Sequence, residues 1–245
     1  MENESAAIPE TPQPKGALWR LQGIFFEPSA TFEDINLKPG FIVPLAVSIL
    51  ITLIVWQVIP HFVDLQELFL AQARSNPQVA NLSDDQIKAG LGFQVLIIKY
   101  FVPLLIPIMA LIFAGVFLLM VSISGSETTF SRVFSVVSQT FFFQSLIGGI
   151  LLVIVFVLAK DPYAINLQNP IFTNLGPLVD AKASPVLYKL ASSVDILNFY
   201  VIYLLGLGIS KVSRRMSVGK GVMMVVIPYL IYLAISVGIT AVTAG

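Results

Sequence analysis

The sequence predicts an all-α fold: a polytopic transmembrane helical bundle with five spans, plus amphipathic interfacial helices. Of 245 residues, 56% are hydrophobic and only 11% charged, whereas about a quarter of a soluble chain is charged. Five apolar stretches approach the roughly 20 residues that a helix needs to cross about 30 Å of hydrocarbon. The third observation is the turn from Ser210 to Gly221, which carries Lys211, Arg214, Arg215 and Lys220 with no acid between two apolar runs. Lys and Arg close to span ends mark the cytoplasmic side, so this turn orients the chain.

Composition also excludes classes of function. A formal net charge of zero argues against a nucleic-acid partner, which calls for a strongly basic face. The absence of cysteine removes disulfides, thiol catalysis and zinc–thiolate sites. Residues 1–16 read as a disordered polar tail with Glu2, Glu4 and Glu10. Lacking a basic stretch followed by an apolar core, the tail is no secretory signal, and the first apolar run is expected to act as an uncleaved anchor.

Segment 17–40 is amphipathic: Trp19, Leu21, Phe25, Phe26, Phe32 and Ile35 alternate with Arg20, Glu27, Glu33 and Asp34. It is too broken to span and is expected to lie on the membrane surface, with Trp19 among the headgroups. Pro28 suits a first helical position, after which Phe32 and Ile35 share a face.

The remainder, 41–243, reads as one five-helix transmembrane domain. Its spans are Phe41 to Pro60, Tyr100 to Val121, Val133 to Ala159, Ile196 to Ser210 and Val222 to Val242. The fourth is short and is expected to be extended by the helix preceding it. Five spans put the termini on opposite sides, with the amino terminus cytoplasmic and the carboxy terminus outside. Lys15, Arg20, Lys38 and Arg132 then join the inner side.

Along the first outer connection, Phe62, Leu65, Leu68 and Phe69 recur at helical spacing up to a break at Asn76-Pro77. A second helix starts at Ser83, which fits a capping box with Gln86. Ser83 also completes an Asn81-Leu-Ser sequon, relevant only in a glycosylating compartment. In the second span, Pro103 and Pro107 remove backbone donors and should bend the helix near its outer end, leaving the carbonyls of Lys99 and Pro103 to find other partners. Gln139, Thr140, Gln144 and Ser145 make the third span the central one, and Gly148-Gly149 admits a close neighbour. Lys160 to Ser184 is too rich in proline and glycine for a regular element. It ends at Ser184-Pro185, a cap and first helical position.

No catalytic signature is present: there is no phosphate-binding loop, no G-x-S-x-G and no H-E-x-x-H. His61 is the one histidine, so a histidine triad or multi-histidine metal site is hard to build. A non-enzymatic protein without catalytic, cofactor or metal site is therefore expected. Lys99 and Asp195 both begin inward-running spans, where they either snorkel separately or form an intramembrane polar pair. The pairs Ala110/Ala114, Gly206/Ser210 and Ala234/Gly238 would let helices approach closely, within the chain rather than between chains.

Three stretches in order resemble the Yip-domain (Ypt/Rab-interacting protein) family: Phe25-Phe26-Glu-Pro28 with Thr31-Phe32 and Ile35, then Thr129-Phe130-Ser-Arg132-Val-Phe-Ser-Val, then Ser184-Pro185 through Ser193-Val-Asp195-Ile to Leu205-Gly-Leu-Gly208. The family is named for eukaryotic members that bind Rab/Ypt GTPases in early secretory traffic. Asn174-Leu-Gly176-Pro177 is only a partial echo of their Tyr-Gly-Pro motif, so the resemblance points to a bacterial-type branch. It implies a multi-pass protein of the cell membrane, or of the ER or Golgi in a eukaryote.

The function expected is membrane organisation, or recruitment of membrane lipids and membrane-associated proteins, at the cytoplasmic face. Candidate contacts there are Phe26, Pro28, Phe32, Arg132, Lys211, Arg214, Arg215 and Lys220. The alternative is a transporter or lipid-translocating protein, motivated by the prolines of the second span, the polar third span and the Lys99/Asp195 pair. The sequence leaves the oligomeric state open.

Overall fold

The structure, a computed structural model, describes residues 13–74 and 81–244. Most of the 1–16 tail and the Asn76-Pro77 break lie outside them. Every regular element among the described residues is helical; one isolated antiparallel bridge joins Asn174 to Asp195. Four helical runs are long and apolar enough to cross a membrane: Ile42–His61, Asp84–Ile123, Phe130–Leu158 and Val218–Thr243. A fifth apolar helix, Ile196–Val212, is shorter.

Two short helices come first, α1 (Ala17–Phe26) and α2 (Pro28–Leu37). Pro28 opens α2, as its fixed φ favours. The segment does not simply lie on a surface. Ile24, Phe32 and Ile35 are fully buried in the main core with residues of α7 (Phe130–Leu158) and α9 (Ile196–Val212). Glycine makes room for this docking: a Cβ on Gly208 would come within 2.9 Å of the Phe32 ring.

The first spanning helix, α3 (Ile42–Val58), runs into a 3₁₀ turn at Ile59–His61. The helices α4 (Leu65–Ala73) and α5 (Asp84–Leu96) follow. The carboxylate of Asp64 accepts from the amides of Gln66 and Glu67 at the start of α4. Ser83 and Gln86 form the expected capping box at the start of α5. Leu65, Leu68, Phe69, Ile87 and Leu91 then build a second cluster around Ile59 and Phe156.

Between α5 and α6 (Val102–Ile123) the helix widens into a π turn over Ile97–Phe101. The position has a physical reason, because in α geometry the Pro103 ring meets the carbonyl of Lys99, and a wider turn relieves that contact. The strain of the second span is thus taken up without ending the helix.

The next helix, α7, is capped by Thr129, whose hydroxyl accepts from the amide of Arg132. Its Ser135, Ser138 and Thr140 hydroxyls donate to carbonyls four residues back. Gly149 admits α3 closely, since a Cβ there would stand 2.9 Å from Val55, whereas Gly148 faces open space.

Two expectations need correcting around the fourth span. Helix α8 (Pro185–Ser193) does not extend α9, because the chain turns at Val194 and Asp195, whose backbone bridges to Asn174. The carboxylate of Asp195 instead caps α9 by accepting from Leu197 and Asn198. The 17 residues of α9 span about 25 Å at 1.5 Å each. Nor does the Ser184 side chain cap α8; the preceding turn is held by the Asp180 carboxylate, which accepts from Lys182 and Ala183.

Helix α10 (Val218–Ala244) returns against α9 and contains Pro228. The two helices are nearly in backbone contact. A Cβ on Gly206 would meet Val222 Cα at 2.5 Å, and one on Gly221 would lie 3.1 Å from Ser210 Cβ. The Gly206/Ser210 pair therefore serves packing within the chain, while Ala234 and Gly238 remain exposed.

Candidate functional site

Three segments meet at one end of the bundle: the α1–α2 hairpin, the turn between α6 and α7, and the basic turn between α9 and α10. Their association follows from the backbone. Arg214 donates its amide to Glu127 O at 2.8 Å, and the Thr128 hydroxyl donates to Val212 O at 2.8 Å. Side-chain charges reinforce it: Lys211 Nζ lies 2.6 Å from Glu33 on α2, and an Arg214 guanidinium nitrogen lies 3.3 Å from Glu127 Oε2. The hydrogen bond from Lys211 holds the Glu33 carboxyl below its ordinary range, against a smaller opposing effect of burial.

Lys211, Arg214, Arg215 and Lys220 are neighbours in sequence, and the structure separates their roles. Lys211 and Arg214 are engaged by acids from the other two segments. Arg215 and Lys220 are exposed and make no ion pair among the described residues. Arg215 also adopts the left-handed conformation, with φ 56°, a turn geometry unusual for a side chain of this size. Arg132, one turn into α7, is half-buried beside Arg214 in a cavity of about 500 Å³.

The aromatic candidates divide. Phe26 is 84% exposed at the end of α1, and Pro28 is half-buried. Phe32 is 0% exposed and cannot contact a lipid or partner. The correction has a simple cause: Phe32 and Ile35 form the face of α2 that inserts into the bundle, so their shared spacing reports core packing rather than membrane contact.

The Lys99/Asp195 pair is also corrected. Asp195 caps α9 and accepts from the Thr173 hydroxyl at 3.0 Å. Lys99 sits in the π turn with its ammonium 5.9 Å from the centre of the Tyr100 ring. The two side chains make no ion pair.

A buried polar contact closes the hairpin, and local spacing in the sequence does not announce it. Arg20 and Asp34 are 4% and 5% exposed and pair at 2.6 Å. Arg20 also donates to the carbonyls of Asp34 at 3.1 Å and Lys38 at 2.8 Å, while the Lys15 amide donates to Asp34 at 2.7 Å. From α7, the fully buried Gln139 donates to Arg20 O at 2.7 Å. The signal available was a charged pair 14 positions apart in a segment carrying a turn at Glu27-Pro28, the spacing of a hairpin rather than of one helix face.

At the opposite end, Asn169, Asn174, Tyr188 and Ser192 form a hydrogen-bonded group around Gly176. Asn174 also accepts from the Gly176 amide at 2.8 Å. These bonds fold the connection between α7 and α8 onto α8. Asn174-Leu-Gly176-Pro177 thus has a local structural role, since a side chain at Gly176 would collide with its polar neighbours.

Helices long and apolar enough to cross a bilayer, with their charged groups gathered toward the ends, define a multi-pass integral membrane protein. The family model of the Yip1 domain matches residues 23–239, and the chain belongs to that family. No curated protein and no solved structure matches the chain.

Proposed function

We propose that the protein is a non-enzymatic organiser of the membrane, and that the end carrying the basic turn is a cytoplasmic surface recruiting anionic lipids or membrane-associated proteins. One observation carries this reading. The α1–α2 hairpin, the α6–α7 turn and the basic turn form one connected surface, in which Lys211 and Arg214 are paired while Arg215 and Lys220 are exposed. The paired cations link the segments, although Arg214 is itself exposed, and the unpaired ones attract. Each basic residue near an anionic leaflet contributes about 1 kcal/mol of attraction.

The same concentration of Lys and Arg supports an inward-facing amino terminus and an outward-facing carboxy terminus. Two observations weigh against the transport alternative, since Gln139 donates to Arg20 O and Asp195 caps a helix, while Gln144 of the same span is exposed. Affinity capture from native membranes tests the proposal, comparing wild type with a variant neutralised at Arg215 and Lys220. Depletion of anionic lipid or of captured proteins, with topology unchanged, is expected. Identical lipids and proteins would reject recruitment by this face.

A further inference from the structure

We infer that the corner between α8 and α9 is a ledge sunk into the leaflet at the end of the bundle opposite the basic turn, where phospholipid headgroups are drawn toward the bilayer centre and the bilayer is thinned. This end is separate from the recruiting face, so neither reading depends on the other. Helix register sets the depth of the corner. A Cβ on Gly208 would run into Val136, and the Phe143 and Tyr200 rings are 5.2 Å apart, so α9 lies antiparallel against α7. Asp195 stands thirteen residues before Gly208 and five before Tyr200, which places it level with Gly149 or Gly148. Helix α7 then continues to Leu158, about nine residues or about 13 Å beyond that level at 1.5 Å per residue.

Helix α10 agrees. The Tyr229 hydroxyl donates to Ser193 O at 3.0 Å, and α10 runs on from there through residues 230–242, which carry no charge. Exposed apolar side chains beyond the corner, among them Ile154 and Leu158 on α7 and Ile235 and Ile239 on α10, place acyl chains at that height. The length of α9 makes the same point, since its 17 residues cover about 25 Å against about 30 Å of hydrocarbon. The corner therefore lies at least about 5 Å, and by register as much as about 13 Å, inside the hydrocarbon edge.

What sits at that depth is polar. The Asp195 carboxylate, which makes no ion pair among the described residues, accepts from Thr173, and beside it Asn169, Asn174, Tyr188 and Ser192 bond to one another. Irregular backbone at membrane depth is tolerated only where protein covers it or water reaches it, and a carboxylate there is costly without a partner or water. Protein does not cover this corner: Asn174, Ser192 and Asp195 are only half-buried, and no residue of α8 is buried. Water and headgroups must therefore reach it. Phe172, Leu178 and Leu187, all exposed, supply apolar anchors beneath those headgroups, as an interfacial amphipathic segment does. A bilayer thins beside a short span at modest cost, and here the thinning is one-sided because α7 and α10 stay long.

The absence of cysteine lets single positions carry a bimane label. The full chain is placed in dioleoylphosphatidylcholine nanodiscs with the label at Val194→Cys, Ile150→Cys or Ile235→Cys, each replacing an exposed apolar side chain. Quenching is compared between phosphatidylcholine bearing a nitroxide on its headgroup and phosphatidylcholine bearing one near the chain end. Val194 should be quenched about twofold more strongly by the headgroup nitroxide, and Ile150 and Ile235 by the chain nitroxide, since the two probes differ in depth by about half of 30 Å. Ile196→Cys, also exposed, carries the same test if Val194→Cys does not fold. Quenching of the corner mainly by the chain nitroxide, or by neither, overturns the ledge. Headgroup quenching at Ile150 or Ile235 overturns it as well, because that level would then lie outside the hydrocarbon all round. None of these results bears on lipid recruitment at the charged end.

Discussion

Replacing Asp34 with alanine removes the carboxylate on which the α1–α2 hairpin closes and leaves the Arg20 guanidinium buried without a counter-charge. Both side chains are nearly inaccessible, at 5% and 6% exposure, and their closest approach is 2.6 Å. Breaking one partner of such a pair costs about 3–5 kcal/mol. Arg20 retains its bonds to the carbonyls of Asp34 and Lys38, so the lower end, about 3 kcal/mol, is expected.

The natural absence of cysteine gives a direct assay. Thr31 is fully buried, with an unpartnered hydroxyl, and Thr31→Cys places a near-isosteric thiol under the hairpin. Its reaction with a maleimide requires the hairpin to open. If labelling follows the opening equilibrium, Asp34→Ala should accelerate it about a hundredfold, since each 1.4 kcal/mol is a factor of about ten. Adding Arg20→Met and changing residue 34 to leucine removes both charges and should return the rate toward wild type. Equal labelling in Asp34→Ala and wild type, or no recovery when both charges are removed, would refute the claim that this ion pair holds the hairpin down.

Further outcomes follow from the packing and the charges. Thr31→Val should raise stability by about 1 kcal/mol, by removing a buried hydroxyl with no partner, as a thermal melt in detergent would show. Gly206→Ala should lower it by about 1–3 kcal/mol or more, because the methyl meets the Val222 backbone; Gly148→Ala, facing open space, should leave the melting temperature unchanged or raise it. The Lys211–Glu33 contact should be intact above the usual glutamate range and lost as pH falls through the lowered value of Glu33. As the Glu33 side chain is 58% exposed, the effect is at most about 1 kcal/mol after screening by solvent. It is measurable as a difference in acid stability between wild type and Glu33→Gln.

What was legible in the sequence was whatever depends on local spacing. The long apolar runs, the capping box at Ser83 and Gln86, the start of α7 after Thr129 and the start of α2 at Pro28 depend on residues within a few positions of one another. What was not legible depends on distant partners. Phe32 looked like a membrane anchor because its helix is amphipathic, yet an amphipathic face can meet either lipid or another helix. The choice was made by Gly208, 176 positions away, which leaves space for the ring. Asp195 looked like half of a charged pair because a carboxylate at a span end needs a partner. The amides of Leu197 and Asn198 supplied one at shorter range.

Gln139 shows how a polar residue in a span admits two readings. A buried amide in a transmembrane helix is consistent with a solute path or with a helix contact, and its own sequence neighbourhood does not decide between them. Here it holds Arg20 O, while Arg20 holds Asp34, so one span residue, two charges and a hairpin form a continuous polar linkage. That linkage sets the position of α2. From α2, Glu33 reaches Lys211 of the basic turn, and Asn36 reaches the wall of the cavity beside Arg132. The arrangement of the charged surface is therefore coupled to a contact deep in the bundle. A variant such as Gln139→Leu tests this coupling: it should loosen the hairpin and reduce protection at Thr31→Cys, although it changes no charge and lies outside the surface itself. Unchanged labelling in that variant would show that the surface is held by its ion pairs alone.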